Sequence, residues 1–231
     1  MIWAISTVLS FCPPASADDF VASVEEVKPE YAALMAEAAW DWRPGDLIFM
    51  NGLNDFDDLL QQAEGGRWAS VGILRPSSGG PRVVFVDGEE GVSERMLYEL
   101  TDVRSDDEYA VYRVKGANGE GLGLLTNYVL LSAYGSPFDN LMLFGNGRFY
   151  GTELPFEAAM SEGYVLAEPR KLGDFTDLDS PLANALLSDW KAHPYCIAAL
   201  SREDCWLEVR NIAVVTPGAL LLSEKLERVY P

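Results

Sequence analysis

WASVGILRPSSGGPRVVFV, residues 68–86, decides the architecture. Trp68 to Leu74 and Val83 to Val86 are short apolar runs, and Ser77-Ser78-Gly79-Gly80-Pro81 between them is made of turn formers. Two such runs joined by a polar, glycine-bearing connection read as a hairpin. Leu47-Ile48-Phe49-Met50 upstream and Tyr109 to Val114 downstream have the same texture. Strands joined this way belong to an antiparallel sheet.

Helical runs surround these strands. A first helix follows residue 17, with Asp18 or Asp19 able to cap it, and Pro29 opens a second run from Glu30 to Trp40, where proline suits the first turn. Trp42-Arg43-Pro44-Gly45-Asp46 is a turn; Asp55, Asp57 and Asp58 then head a helix, complementing its dipole, and Gly65-Gly66 ends it. Leu122 to Tyr134 is stopped by Gly135 and Pro137, Tyr150 to Glu162 is a further helical run, and Ser180-Pro181 caps one that ends near Trp190. Ile212-Ala213-Val214-Val215 reads as the last strand, terminated by Thr216-Pro217-Gly218. The acidic residues Asp102, Asp106, Asp107 and Glu108 read as a solvated loop. The predicted class is α+β, an antiparallel sheet packed with helices.

Composition limits the function. The 231 residues are 48% hydrophobic and 23% charged, an ordinary globular balance. The 17 basic and 36 acidic side chains leave a net charge of −19, which repels phosphate backbones and anionic membranes and argues against a nucleic-acid partner. Residues 1–17 carry an apolar run from Ile2 to Phe11 and an Ala15-Ser16-Ala17 cleavage pattern, although they lack Lys and Arg. They read as a signal peptide, too short for a transmembrane anchor, leaving one domain over 18–231 in the periplasm or outside the cell. Phe11 stands where a lipoprotein site before Cys12 needs a small residue. In an oxidising compartment Cys196 and Cys205 can form a disulfide; a pair of buried thiols is the alternative. With one histidine and no C-x-x-C spacing, neither metal nor cofactor is expected.

Four segments in order resemble the permuted papain-like amidases of the YaeF/YiiX type, within the NlpC/P60 superfamily. They are Pro44-Gly45-Asp46-Leu47-Ile48-Phe49, Ala69-Ser70-Val71-Gly72-Ile73, Tyr134-Gly135-Ser136-Pro137-Phe138-Asp139 and Phe149-Tyr150-Gly151-Thr152-Glu153-Leu154. Weaker matches run from Arg170 to Leu182 and over Val214 to Pro217. The resemblance implies a permuted papain-like, NlpC/P60-type fold, with a histidine base on a strand and a cysteine nucleophile at a helix N-terminus, where imidazole and helix dipole favour the thiolate.

Carried over residue by residue, that histidine falls on Ser70 and that cysteine on Gly151. Glycine has no side chain, and a serine hydroxyl is no base near neutral pH. Losing nucleophile and base together forfeits a rate factor on the order of a million. Asp87 is the weak third position, and it also reads as a turn residue before Gly88. Asp46, Tyr150, Thr152 and Glu153 are the candidates for lining the groove.

The leading expectation is a pseudoenzyme of the bacterial envelope that binds a peptide, lipid or protein ligand. An active hydrolase with relocated machinery, built from His193 and Cys196, is the alternative. Ser70 as nucleophile has no evident base in the sequence. A third possibility is a structural or interaction module whose groove is filled by side chains. Asp174, Asp177 and Asp179 lack the Gly and distal Glu of a calcium loop and read as a surface turn.

Overall fold

The computed structural model describes residues 38–116 and 124–231. The signal-peptide reading, the helical readings up to residue 37 and the start of the Leu122 run lie outside them.

Eight strands and seven α-helices are found among the described residues. A six-stranded, wholly antiparallel sheet has the order β4-β3-β2-β1-β5-β8. Its strands are β1 (Leu47–Met50), β2 (Ser70–Arg75), β3 (Arg82–Asp87), β4 (Gly91–Met96), β5 (Tyr109–Val114) and β8 (Leu226–Tyr230). Among the described residues the first two helices are α1 (Asp55–Glu64) and α2 (Leu97–Thr101). Helix α3 (Leu124–Tyr128) runs on as a π turn, Val129–Ala133, and stops where Gly135 turns left-handed at φ 78°. The rest comprises α4 (Glu153–Ser161), β6 (Arg170–Lys171), α5 (Pro181–Leu186), α6 (Arg202–Val209), β7 (Ala213–Val214) and α7 (Pro217–Leu221).

Central β1 explains why its sequence is apolar throughout instead of alternating. Leu47 and Phe49 enter the core under α3 and α4, whereas Ile48 and Met50 enter a second core on the opposite face with α2. Both faces are covered, so all four side chains are buried. A third apolar cluster joins Phe56 and Leu60 of α1 to Tyr150, Leu182, Trp206 and Val214. No helix among the described residues is long and apolar enough to cross a membrane.

The structure adds β4, β8, α2, α6 and α7, and corrects the C-terminal reading. Ile212 to Val215 is not the last strand: only Ala213–Val214 pairs, with Arg170–Lys171, in a separate two-stranded ladder. Thr216 does not terminate a strand but caps α7, accepting from Ala219 N–H at 3.1 Å with Pro217 in the first turn.

Candidate functional site

Three residues from three elements converge on one buried point. Asn54 caps α1 by accepting from Phe56 N–H at 2.8 Å, which sets Asp57 in the first turn. Asp57 reaches the first residue of β2, where the Ser70 hydroxyl donates to Asp57 Oδ2 at 2.8 Å. Gly151, in the turn before α4, completes the contact: a Cβ built there would stand 2.1 Å from Asp57 Oδ2 and 2.6 Å from its Cγ. The two positions that the resemblance assigns to base and nucleophile are therefore brought together, and a carboxylate fills the space between them.

That carboxylate is cut off from water. Asp57 is 1% exposed, Ser70 2%, and Gly151 is buried. Burial pushes the Asp57 carboxyl up to about 7, against the opposing pull of the Ser70 hydroxyl and the Gly151 N–H. Its Oδ1 has no hydrogen-bond partner. A serine donating to a carboxylate is in principle a nucleophile beside a base, so the sequence reading that Ser70 has none is corrected. Neither atom, however, meets a surface from which a substrate could approach.

The groove-lining candidates are all buried side chains. Tyr150, Thr152 and Glu153 are at most 1% exposed, and they brace the turn around Gly151. The Tyr150 hydroxyl accepts from Val215 N–H at 2.9 Å, and the Thr152 hydroxyl donates to Val215 C=O at 2.7 Å. One residue of the 213–218 segment is thus gripped from both sides of Gly151. Glu64, in the last turn of α1, holds the same segment by accepting from the Thr216 hydroxyl and from Gly218 N–H at 3.0 Å. Glu153 accepts from Tyr150 N–H at 3.3 Å. Burial, then the charge of Glu157, pushes its carboxyl up to about 9, so it is neutral at pH 7.

Asp46 lies elsewhere. It is 1% exposed and accepts from Arg113 Nε at 2.7 Å, Arg113 Nη2 at 2.8 Å and Arg43 N–H at 2.8 Å. Met50, four residues further along the strand, is the partner of Ser70, so Asp46 sits roughly 13 Å from the Ser70 end. Asp87 ends β3, paired with Gly91, and its side chain braces the turn that follows: its Oδ1 accepts from Glu89 and Glu90 N–H at 2.8 and 3.1 Å, and Arg95 reaches its Oδ2 at 3.4 Å. Asp177 accepts from Asp179 N–H at 3.1 Å in the turn before the Ser180 cap.

The relocated dyad is not assembled either. Cys196 and Cys205 are joined in a disulfide, so neither offers a thiol. His193 is 1% exposed, its Nδ1 accepts from Tyr195 N–H at 3.2 Å, and burial lowers its pKa, leaving it neutral. Among the described residues no group of three or more His, Cys, Asp or Glu is placed to hold a metal ion.

Asp57 is the residue that sequence reasoning undervalued, taking it for one of three acids that complement the dipole at a helix start. Its spacing carried a signal, since it falls three residues before the core residue Leu60 and so shares its face.

No protein-family model matches the sequence, and no curated protein matches it. Among solved structures the chain is similar to the crystal structure of the metalloprotein yiiX from Escherichia coli O157:H7. The TM-score is 0.61 at 23% sequence identity, over 83% of this chain and 100% of the other. The chain shares the yiiX fold.

Proposed function

We propose that this chain is a catalytically silent protein on a permuted papain-like fold, acting by binding in the bacterial envelope. The yiiX-like fold and the ordered sequence resemblance supply the relationship. The silence rests on one observation: the Asp57 carboxylate is packed against the Gly151 backbone and bonded to Ser70, in the volume where a nucleophile and its base would meet. No thiol and no imidazole is present there, and the remaining hydroxyl is sealed from solvent. The disulfide fits an oxidising compartment, which supports an envelope location. The Escherichia coli protein is described as a metalloprotein. The described residues here provide no matching ligand group, so the reading takes no step through a metal.

The test is a comparison of three proteins. The natural chain should neither hydrolyse peptide, acyl-amide or thioester substrates nor be labelled by thiol- or serine-directed acyl probes. Ser70→His with Gly151→Cys should also stay inactive, because Asp57 still occupies the shared volume. Adding Asp57→Gly to that pair makes room for the restored side chains, and labelling of the new cysteine in this triple variant alone would support the proposal. Turnover by the natural chain, or an acyl adduct on Ser70, would overturn it.

A further inference from the structure

We infer that the cleft between the Met142–Phe144 loop and the wall running from Tyr195 to Ile212 is a binding site for a small organic ammonium ion. The cleft has a volume of about 360 Å³ and lies apart from the Ser70, Asp57 and Gly151 cluster. That volume is in the range of small-ligand sites.

Both walls are braced independently. On one side the fully buried Asp139 carboxylate gathers its loop, accepting from Leu141 N–H at 2.9 Å, Leu143 N–H at 2.7 Å and Asn146 Nδ2 at 2.9 Å. The loop holds Met142 at φ 55°, the one non-glycine residue with positive φ among the described residues. A left-handed backbone is strained for such a residue, and strain of this kind concentrates at ligand clamps. On the other side, the Cys196–Cys205 disulfide fixes Tyr195, the neighbour of one cysteine, relative to Glu208, three residues beyond the other. Rigid walls spare a ligand the ordering cost of binding.

The lining chemistry selects the ligand. Met142, Phe144 and Ile212 supply apolar surface, and the Tyr195 ring, 56% exposed, supplies a π face. The Glu208 carboxylate has no hydrogen bond or ion pair among the described residues. Lys171, next to the lining residue Asn211, is turned to its Oδ1 at 3.4 Å, and Arg210 packs over Gly173. An unpaired carboxylate beside an exposed aromatic ring and an apolar floor complements an alkylammonium group. The net charge of −19 concentrates cations near the surface and repels carboxylates and phosphates.

The experiment is a calorimetric titration of the full-length, oxidised protein with benzyltrimethylammonium chloride at fixed low ionic strength, with sodium benzoate as the anionic control. Saturable one-site binding of the cation is expected, with no saturable binding of benzoate. Glu208→Gln and Tyr195→Ala should each weaken the cation by about tenfold, both positions being exposed enough to substitute without disturbing the fold. Absence of saturable binding would overturn the inference. Benzoate binding as well as the cation, or Glu208→Gln leaving the affinity unchanged, would overturn it equally, since attraction would then be diffuse or of the wrong sign.

Discussion

Asp57 Oδ2 lies 2.1 Å from where a Cβ on Gly151 would be, so the acid on α1 can hold this place only while residue 151 is glycine. Gly151 is not among the glycines with positive φ. Its lack of a side chain therefore answers a demand for space, not for backbone conformation. Ser70, Gly151 and the acid on α1 form one packing unit, in which a side chain added at position 151 has no room while Asp57 keeps its place.

Gly151→Ala should destabilise the fold by about 1–3 kcal/mol through overpacking against a buried carboxylate. Asp57→Ala should relieve that clash, so the double variant should be more stable than the two single losses summed would allow. Urea denaturation of all four proteins gives the coupling energy, expected at about 0.5–3 kcal/mol. Strict additivity would show that Gly151 and Asp57 do not share the space.

Asp57→Asn should make the protein more stable at neutral and alkaline pH. The folded-state carboxyl titrates at about 7, above the ordinary 3.8, so the folded chain binds the extra proton between those values. Its contribution is complete below about pH 4 and is lost as pH rises towards 7; buried Glu153 extends the decline towards 9. Asparagine keeps an acceptor for the Ser70 hydroxyl but cannot ionise. The gain should be on the order of 1–4 kcal/mol at pH 8 and near zero at pH 4, read from melting curves across that range. A constant difference at every pH would place the effect elsewhere.

The sheet was legible where strands are buried. β1, β2, β3 and β5 carry apolar runs, interrupted in β5 only by Arg113, because helices or the second core cover both their faces. β4 and β8 escaped notice as edge strands whose sequences, Gly91-Val92-Ser93-Glu94-Arg95-Met96 and Leu226-Glu227-Arg228-Val229-Tyr230, are interrupted by charge. In β4 that charge is cross-strand pairing, Glu94 taking Arg75 Nη2 at 2.6 Å and Arg82 Nη1 at 3.0 Å. Of the site, the meeting of positions 70 and 151 was readable from the ordered segments. What fills the space between them was marked only by the three-residue spacing of Asp57 from Leu60, since an acid at a helix start complements the dipole whether it is buried or solvated. Tyr150 and Thr152 flank the critical glycine, yet their hydroxyls serve Val215, a partner more than sixty residues away that no local pattern announces.

That grip is testable at a single amide. Tyr150→Phe removes the acceptor of the buried Val215 N–H, and Thr152→Val removes the donor to its C=O. Each should cost about 1–3 kcal/mol, the price of an unpaired buried backbone group. Hydrogen exchange separates the two: the Val215 amide should lose protection in Tyr150→Phe by more than the global destabilisation explains, whereas in Thr152→Val it should follow global stability. Equal protection in both would deny that the tyrosine holds this strap.

The disulfide supplies the last prediction, and it bears on mechanism as well as stability. Cys196 and Cys205 are 2% and 0% exposed and nine positions apart. Closing a loop of that length removes entropy from the unfolded chain worth about 3 kcal/mol. Cys196→Ser with Cys205→Ser should lower stability by about 2–4 kcal/mol, measured by urea denaturation without reductant, leaving the sheet intact because neither residue belongs to it. Peptide mapping of the unreduced protein should recover the two cysteines as one cross-linked species that iodoacetamide does not label before denaturation and reduction. A folded protein whose Cys196 alkylates at neutral pH would hold a free thiol three residues from His193. That result would remove the disulfide as the bar to the relocated dyad and leave only the burial of His193 and its bond from Tyr195 N–H against it, which is why the redox state of this pair comes before any assay of activity.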